Sequence, residues 1–271
     1  MENRFGFAGQ FTIIKAQSTI NPLTGKPFLV NYFYYPRFIS LTEDELEEYK
    51  RISEKIIRMS GSTDEEKQKR LEFLLFQRAD IEKNAENKYA ELNEILDQIG
   101  PDISDTIIFV SDEQIKPVMK ILGERDIPAH QFTEKESTIP SQKYGGLSER
   151  EHLINLFKKG TYKVLVAIKC LDEGIDIPSA SRAIVMASST NPREYIQRIG
   201  RIIRQAEDKT QAELFDLILR PDVSSFLSDR FKELEAKIFD KEMNRVMDLS
   251  ENAINNIEVL NTVYKIKGAM I

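Results

Sequence analysis

One cysteine, Cys170, is too few for an intramolecular disulfide or a cysteine metal cluster. It follows a run that reads as a strand, where a thiol is a small packing group rather than a nucleophile. Histidine is nearly as scarce. His130 and His152 stand far apart in the chain and suggest no metal site. No apolar run approaches the roughly 18 residues that mark a membrane-spanning helix. The N-terminus lacks the basic stretch and apolar core of a secretory leader. Together these features point to the cytoplasm. Two further absences concern phosphate chemistry. Nothing fits the phosphate-loop spacing G-x-x-x-x-G-K-[ST], since Gly25-Lys26-Pro27 lacks both the earlier glycine and the hydroxyl. There is also no Asp-Glu-x-His or Asp-Glu-Ala-Asp run of the kind that holds Mg²⁺ beside ATP.

What is present suits one large or two modest domains: 271 residues, 41% of them hydrophobic and 30% charged. A net charge of −6 argues mildly against a nucleic-acid binder. Binding depends on a local basic stripe, however, and the acidic residues crowd into 43–48 and 64–66.

Taken in order, residues 1–40 read as an extended arm. Asn21 to Pro27 is turn-rich, and the aromatic run Phe28 to Tyr35 is β-prone until Pro36 interrupts it. Residues 41–103 form a helical section. Thr42-Glu43-Asp44-Glu45 is a capping box, and Leu46, Tyr49, Ile52, Ile56 and Met59 then recur at helical spacing. A second helix is expected from Asp64 with Leu71, Leu74, Leu75 and Ile81 along it, and a third from Asn87 to Gly100-Pro101. From 104 to 220 strands alternate with helices: 106–110, 127–132, 163–168, 182–187 and 212–219 read as strands. Asp112 and the box Ser148-Glu149-Arg150-Glu151 are placed to cap the helices between them. This rhythm predicts an α/β fold, a parallel sheet of five or more strands with helices on both faces. Residues 221–271 follow as a charged helical tail. Open parallel sheets place their sites at the carboxyl ends of strands. Ser111, the loop after 168, residues 188–190 and the helix after them are therefore expected to cluster.

That helix carries the densest chemistry. Asn191-Pro192 can open it, and the run Tyr195 to Arg204 then places Gln197, Arg201 and Arg204 within roughly 60° of one another at the α-helical step. Tyr195, Ile196, Ile199, Ile202 and Ile203 cover the opposite side. Gly200 costs a helix about 1 kcal/mol relative to alanine, and its benefit would be room for a bulky group to approach. Two permanently charged, fork-shaped donors beside such an opening suit a polyphosphate. The plain alternative is the solvated face of an amphipathic helix.

The spacing Gln197-Arg198-Ile199-Gly200-Arg201-Ile202-Ile203-Arg204 resembles motif VI of superfamily 2 helicases and translocases. Val164-Leu165-Val166-Ala167 leading into Asp172-Glu173-Gly174-Ile175-Asp176-Ile177-Pro178 resembles motif V, and Thr106 to Ser111 resembles motif IV. The Asp-Glu-Gly-x-Asp-x-Pro form is similar to the branch of XPB-like repair helicases, UvrB-like proteins and restriction motor subunits. It is less like the DEAD-box RNA helicases. The resemblance covers about residues 28–220 and only the second half of the motor.

It implies a RecA-like (P-loop NTPase-type) domain at 104–220, with residues 1–40 an arm between two motor domains. It implies Arg201 and Arg204 as arginine fingers for ATP hydrolysis, with Gln197 near the γ-phosphate or the attacking water. Gly174 would let the backbone approach the nucleotide, and Asp176 would bond a ribose hydroxyl. The alternative for Asp176 is a turn residue ahead of Pro178. Ser111, Gly145, Gly146 and Lys169 would offer hydroxyl, amide or ammonium donors to the phosphates of DNA, with RNA also possible as the strand. Many members carry Thr or Ser where this sequence has Ile168, which removes one such donor. The phosphate loop and the Mg²⁺ ligands would belong to an N-terminal RecA-like domain in the same protein or a partner subunit, so this chain alone would be inactive. Two other readings share the fold: a nucleic-acid-binding or regulatory module that never meets ATP, and a purely structural Rossmann-like domain.

Overall fold

The computed structural model describes residues 25, 29–59, 64–168, 177, 180–187, 199–206, 209–220 and 229–268. Its strands are β1 (Asn31–Ile39), β2 (Thr106–Phe109), β3 (Ala129–Phe132), β4 (Val164–Ala167), β5 (Arg182–Val185) and β6 (Gln211–Leu219). They form one six-stranded sheet in the order β1-β6-β5-β2-β4-β3. Each adjacent pair runs parallel. Every residue of β2 and β4 is buried, which is why these strands read as unbroken apolar runs rather than as alternation.

The helices described over their whole length are α1 (Glu43–Met59), α2 (Glu65–Asn84), α3 (Asn87–Ile99), α4 (Ile115–Glu124), α5 (Glu149–Lys158), α6 (Asp229–Ser250) and α7 (Asn256–Gly268), and residues 199–202 are also helical. On one side of the sheet, Leu92, Ile95 and Leu96 of α3 and Val118 and Leu122 of α4 pack on Ile108, Val166 and Ile184. On the other, Leu153 and Phe157 of α5, Phe239, Met243 and Val246 of α6, and Val259 and Val263 of α7 meet Ile107, Leu165 and Tyr34. Helices thus cover both faces, as the alternating pattern predicts.

Three segments sit differently from the sequence expectation. Residues 31–39, read as part of an arm, are an edge strand of the sheet paired along its whole length with β6, from Asn31↔Gln211 to Ile39↔Leu219. Its alternation puts Tyr32 and Tyr34 fully in the core, while Tyr35 stacks on Phe215 at 4.8 Å on the other face. Pro36 is tolerated because an edge strand has one side with no ladder to donate into. The helical section does not end as a unit at 103, because α3 is a face-covering helix of the sheet. The expected tail is likewise core: α6 and α7 bury their apolar stripes on β1 and its neighbours. By contrast α1 and α2 pack mainly on each other through Ile52, Ile56 and Leu74, and Leu75, expected to pack, is 42% exposed.

Local signals behave as their chemistry requires. The Thr42–Glu45 box closes, with Glu45 accepting from the Thr42 amide at 2.9 Å. The Ser148–Glu151 box caps α5 in both directions. Gly100 ends α3 at φ +81, a conformation that a side chain would resist. Asp112 is not the cap of α4. The Gln114 amide donates instead to the Ser111 hydroxyl at 3.2 Å.

Candidate functional site

The arginine segment is anchored by its isoleucines. Ile199 and Ile202 are 1% exposed and Ile203 is 0% exposed, all in the core beneath the sheet. Each such burial stabilises the fold by about 1.5–3 kcal/mol. Arg201 is half-buried and Arg204 is exposed. A methyl group added at Gly200 would meet nothing within 4 Å. Gln197 lies outside the described residues.

The helix ends earlier than expected, at residue 202 rather than Arg204. Main-chain competition explains this. The Ile203 carbonyl accepts the Val30 amide at 2.8 Å, and Arg204 forms an antiparallel bridge with Leu29 just ahead of β1. Lys209, 8% exposed, donates its ammonium to the Ala180 carbonyl at 2.6 Å and to the Ile202 carbonyl. Residues 29–30 precede β1 and residue 180 precedes β5, so this end of the segment lies at the amino ends of the strands. Ser111 lies at the carboxyl end of β2. Four-residue strands rising about 3.3 Å per residue hold the two ends roughly 13 Å apart. The other members of the expected cluster, the loop after 168, residues 188–190 and the start of the arginine helix, lie outside the described residues.

Ser111 and the glycine pair also differ from the donors expected of them. Ser111 is 2% exposed; its hydroxyl donates to Asn84 Oδ1 at 2.6 Å, and its amide donates to Gln114 Oε1 at 3.0 Å. Both donors are used up in fastening the end of α2 to the turn before α4. Gly145 and Gly146 are exposed, but at φ +66 and +88 they shape a tight turn. Their amides donate to Gln142 and Ser141 carbonyls at 3.1 and 3.0 Å. Lys169, Gly174 and Asp176 lie outside the described residues. Ile177, between the last of these and Pro178, is buried in the core.

A buried ionic network, not legible in the sequence, joins the helical section to the sheet and α6. The Tyr49 hydroxyl donates to Glu235 at 2.8 Å and is within 3.0 Å of Glu82. Arg78 approaches both carboxylates, at 3.5 Å from Glu235 and 3.9 Å from Glu82. Burial raises the pKa of both acids. Lys88 crosses from α3 to donate to the carbonyls of Met186 at 2.8 Å and Lys83 at 3.0 Å. Loss of water pulls its pKa down to about 8. Nearby, Asp216 of β6 accepts from the Tyr34 hydroxyl at 2.8 Å and pairs with Arg245 of α6 at 3.3 Å. In sequence these charges look like solvated helix faces; only the docking of three separate segments buries them. No group of three or more metal-ligating side chains occurs among the described residues. Among them no helix is long and apolar enough to cross a membrane.

Comparison with known families decides what this sheet is. Residues 87–206 match the helicase conserved C-terminal domain. The chain carries a superfamily 2 helicase C-terminal domain. A DNA 3'-5' translocase, XPB2 of Sulfurisphaera tokodaii, is 27% identical over 236 residues, which are 80% of this chain and 49% of that protein. The ATP-dependent RNA helicase DBP5 of Kluyveromyces lactis is 31% identical over 124 residues, 44% of this chain and 24% of that one. The Sulfolobus solfataricus SWI2/SNF2 ATPase core, solved in complex with dsDNA, shares the fold with a TM-score of 0.52 at 17% identity, covering 83% of this chain and 49% of that chain. The parallel sheet is thus RecA-like. The chain spans about half or less of the length of these curated relatives. The match begins at the first residue of α3, a helix that packs on the sheet.

Proposed function

We propose that this chain is the second motor half of an ATP-dependent superfamily 2 DNA helicase or translocase. ATP would be hydrolysed between it and a phosphate-loop domain in the same protein or in a partner subunit. The observation that carries the reading is the arginine segment. Three buried isoleucines fix its backbone, Arg201 is half-buried and Arg204 exposed, and a methyl group added at Gly200 would meet nothing within 4 Å. Phosphoryl transfer asks a protein mainly for positioning and charge stabilisation. Arg201 and Arg204 would meet the charge that builds on the transferring γ-phosphoryl group. Gln197 would orient the attacking water, Gly174 would admit the nucleotide, and Asp176 would bond its ribose. Mg²⁺ would neutralise phosphate charge, held by acidic residues of the other domain.

DNA is favoured as the track by the 236-residue similarity to a DNA translocase. Its contacts would be to phosphates and carry no sequence information. Lys169 and main-chain amides of the motif V loop would make them. Ser111, Gly145 and Gly146 would act by shaping that surface, since the donors expected of them are used within the chain.

The test is a set of three variants in a protein that unites this chain with its phosphate-loop domain. Arg201→Ala and Arg204→Ala should each lower ATP turnover on the order of 10³-fold, with a smaller change in nucleotide affinity and little change in melting temperature. Ile199→Asp, which buries an unpaired charge, should unfold the domain. If Arg201→Ala melts like Ile199→Asp, the arginine is fold-bearing. If it hydrolyses ATP like wild type, the finger assignment is wrong.

A further inference from the structure

The end of the arginine segment is held by two contacts from distant parts of the chain. A helix leaves its last carbonyls without intrahelical partners. Here the Ile203 carbonyl is taken by the Val30 amide and the Ile202 carbonyl by the Lys209 ammonium. Lys209 is nearly buried, and its second bond, 2.6 Å to Ala180, ties the same group to the chain just before β5. A cation at a helix carboxyl end is favoured by the local dipole. One side chain therefore fixes the helix end to the sheet within a residue or two of Arg201 and Arg204.

We propose that Lys209 is a positioning residue for ATP hydrolysis: its ammonium sets the place and direction of the arginine segment, and through it those of Arg201 and Arg204. This rests on the reading of those arginines as fingers. Lys209 itself touches no phosphate in this account. A geometric tolerance of an ångström or less separates a productive catalytic group from an idle one, so releasing the helix end should cost turnover more than binding.

The experiment compares Lys209→Met, which keeps the length of the side chain without the ammonium, with Lys209→Arg, which keeps a charged donor, in the same two-domain protein. Three readouts are needed: steady-state ATP hydrolysis, thermal melting, and amide hydrogen exchange. In Lys209→Met, turnover at saturating ATP should fall at least tenfold with KM changed less than about threefold, and Lys209→Arg should recover most of it. The Val30 and Ile203 amides should exchange at least tenfold faster, while those of β2 and β4 keep their protection. Turnover within twofold of wild type, or unchanged exchange at Val30 and Ile203, overturns the proposal. So does a Lys209→Met protein that fails to fold, since Lys209 is then a core group and no positioning device. If the wild-type protein hydrolyses no ATP, the finger reading falls instead. Exchange confined to Val30 and Ile203 then still assigns Lys209 the fixing of this segment, and unchanged exchange removes that role too.

Discussion

Replacing Lys88 with methionine should change how stability depends on pH far more than it changes stability at pH 7. Lys88 is 4% exposed, and burial moves its pKa from 10.5 to about 8. The carboxylates of Glu82 and Asp216 work against that shift, and Arg245 works with it. Below pH 8 both the folded and the unfolded chain hold the proton, and the cost of burying the charge is fully present. Between about pH 8 and 10.5 the folded chain releases the proton first. The unfolded chain then holds more protons, so stability rises with pH. At 1.36 kcal/mol per pH unit, the whole window is worth about 3 kcal/mol. Lys88→Met has no such proton, though it leaves the Met186 and Lys83 carbonyls without their donor, costing about 1–3 kcal/mol each when unsatisfied. At pH 7 the relief of desolvation and the loss of the two bonds should nearly cancel. Urea unfolding of both proteins from pH 7 to 10.5 is the assay, with the other titrating groups common to both removed by subtraction. Wild type should gain about 3 kcal/mol on the variant across that range. Parallel curves would mean that Lys88 is no more desolvated than a surface lysine, and the buried-network account would fail with them.

Ser111→Ala should cost about 1–3 kcal/mol of stability, because it removes a buried hydroxyl that serves Asn84 and Gln114. DNA affinity of the folded variant should fall only a few-fold, since Ser111 shapes the surface without touching phosphate, and a loss of tenfold or more in a filter-binding assay would restore Ser111 as a phosphate contact. The 271-residue chain by itself should hydrolyse ATP far below the roughly 1 per second of ordinary enzymes; coupled-assay turnover at that rate from contaminant-free protein would contradict the two-domain reading. Its binding to DNA should be weak and insensitive to sequence, with a log–log salt slope of only a few units, because few phosphate contacts are available. Tight binding in high salt, or binding confined to one sequence, would count against this.

The parts of the fold written in local chemistry could be read directly. Strands β2 and β4 announce themselves as unbroken apolar runs, and the boxes at Thr42 and Ser148 fix two helix starts. The misreadings share one cause: contact between segments distant in sequence. An aromatic run ending at a proline suits an arm or a hairpin equally, and only pairing with β6 makes it an edge strand. Charges at Glu82, Lys88 and Glu235 look solvated until α1, α2 and α6 close around them. At the site, residue types were legible but their hydrogen bonds were not. Ser111, Gly145 and Gly146 are fit donors by type, and each has its donors engaged by neighbours. The arginine helix stops at residue 202 because a residue near the start of the chain takes the Ile203 carbonyl.

The pairing of β1 with β6 also sets an order of events during synthesis. About 170 residues of chain separate the two strands, and at roughly 5–20 residues per second a ribosome needs on the order of 10–35 s to supply the second after the first. For that interval Tyr32, Tyr34 and Tyr35 have no sheet to join. Contacts of such long sequence separation form late and slow a folding chain, and an exposed aromatic strand edge is a template for pairing with other chains. The nascent protein should therefore be most vulnerable to aggregation, and most in need of a chaperone, after β1 has left the ribosome and before β6 arrives.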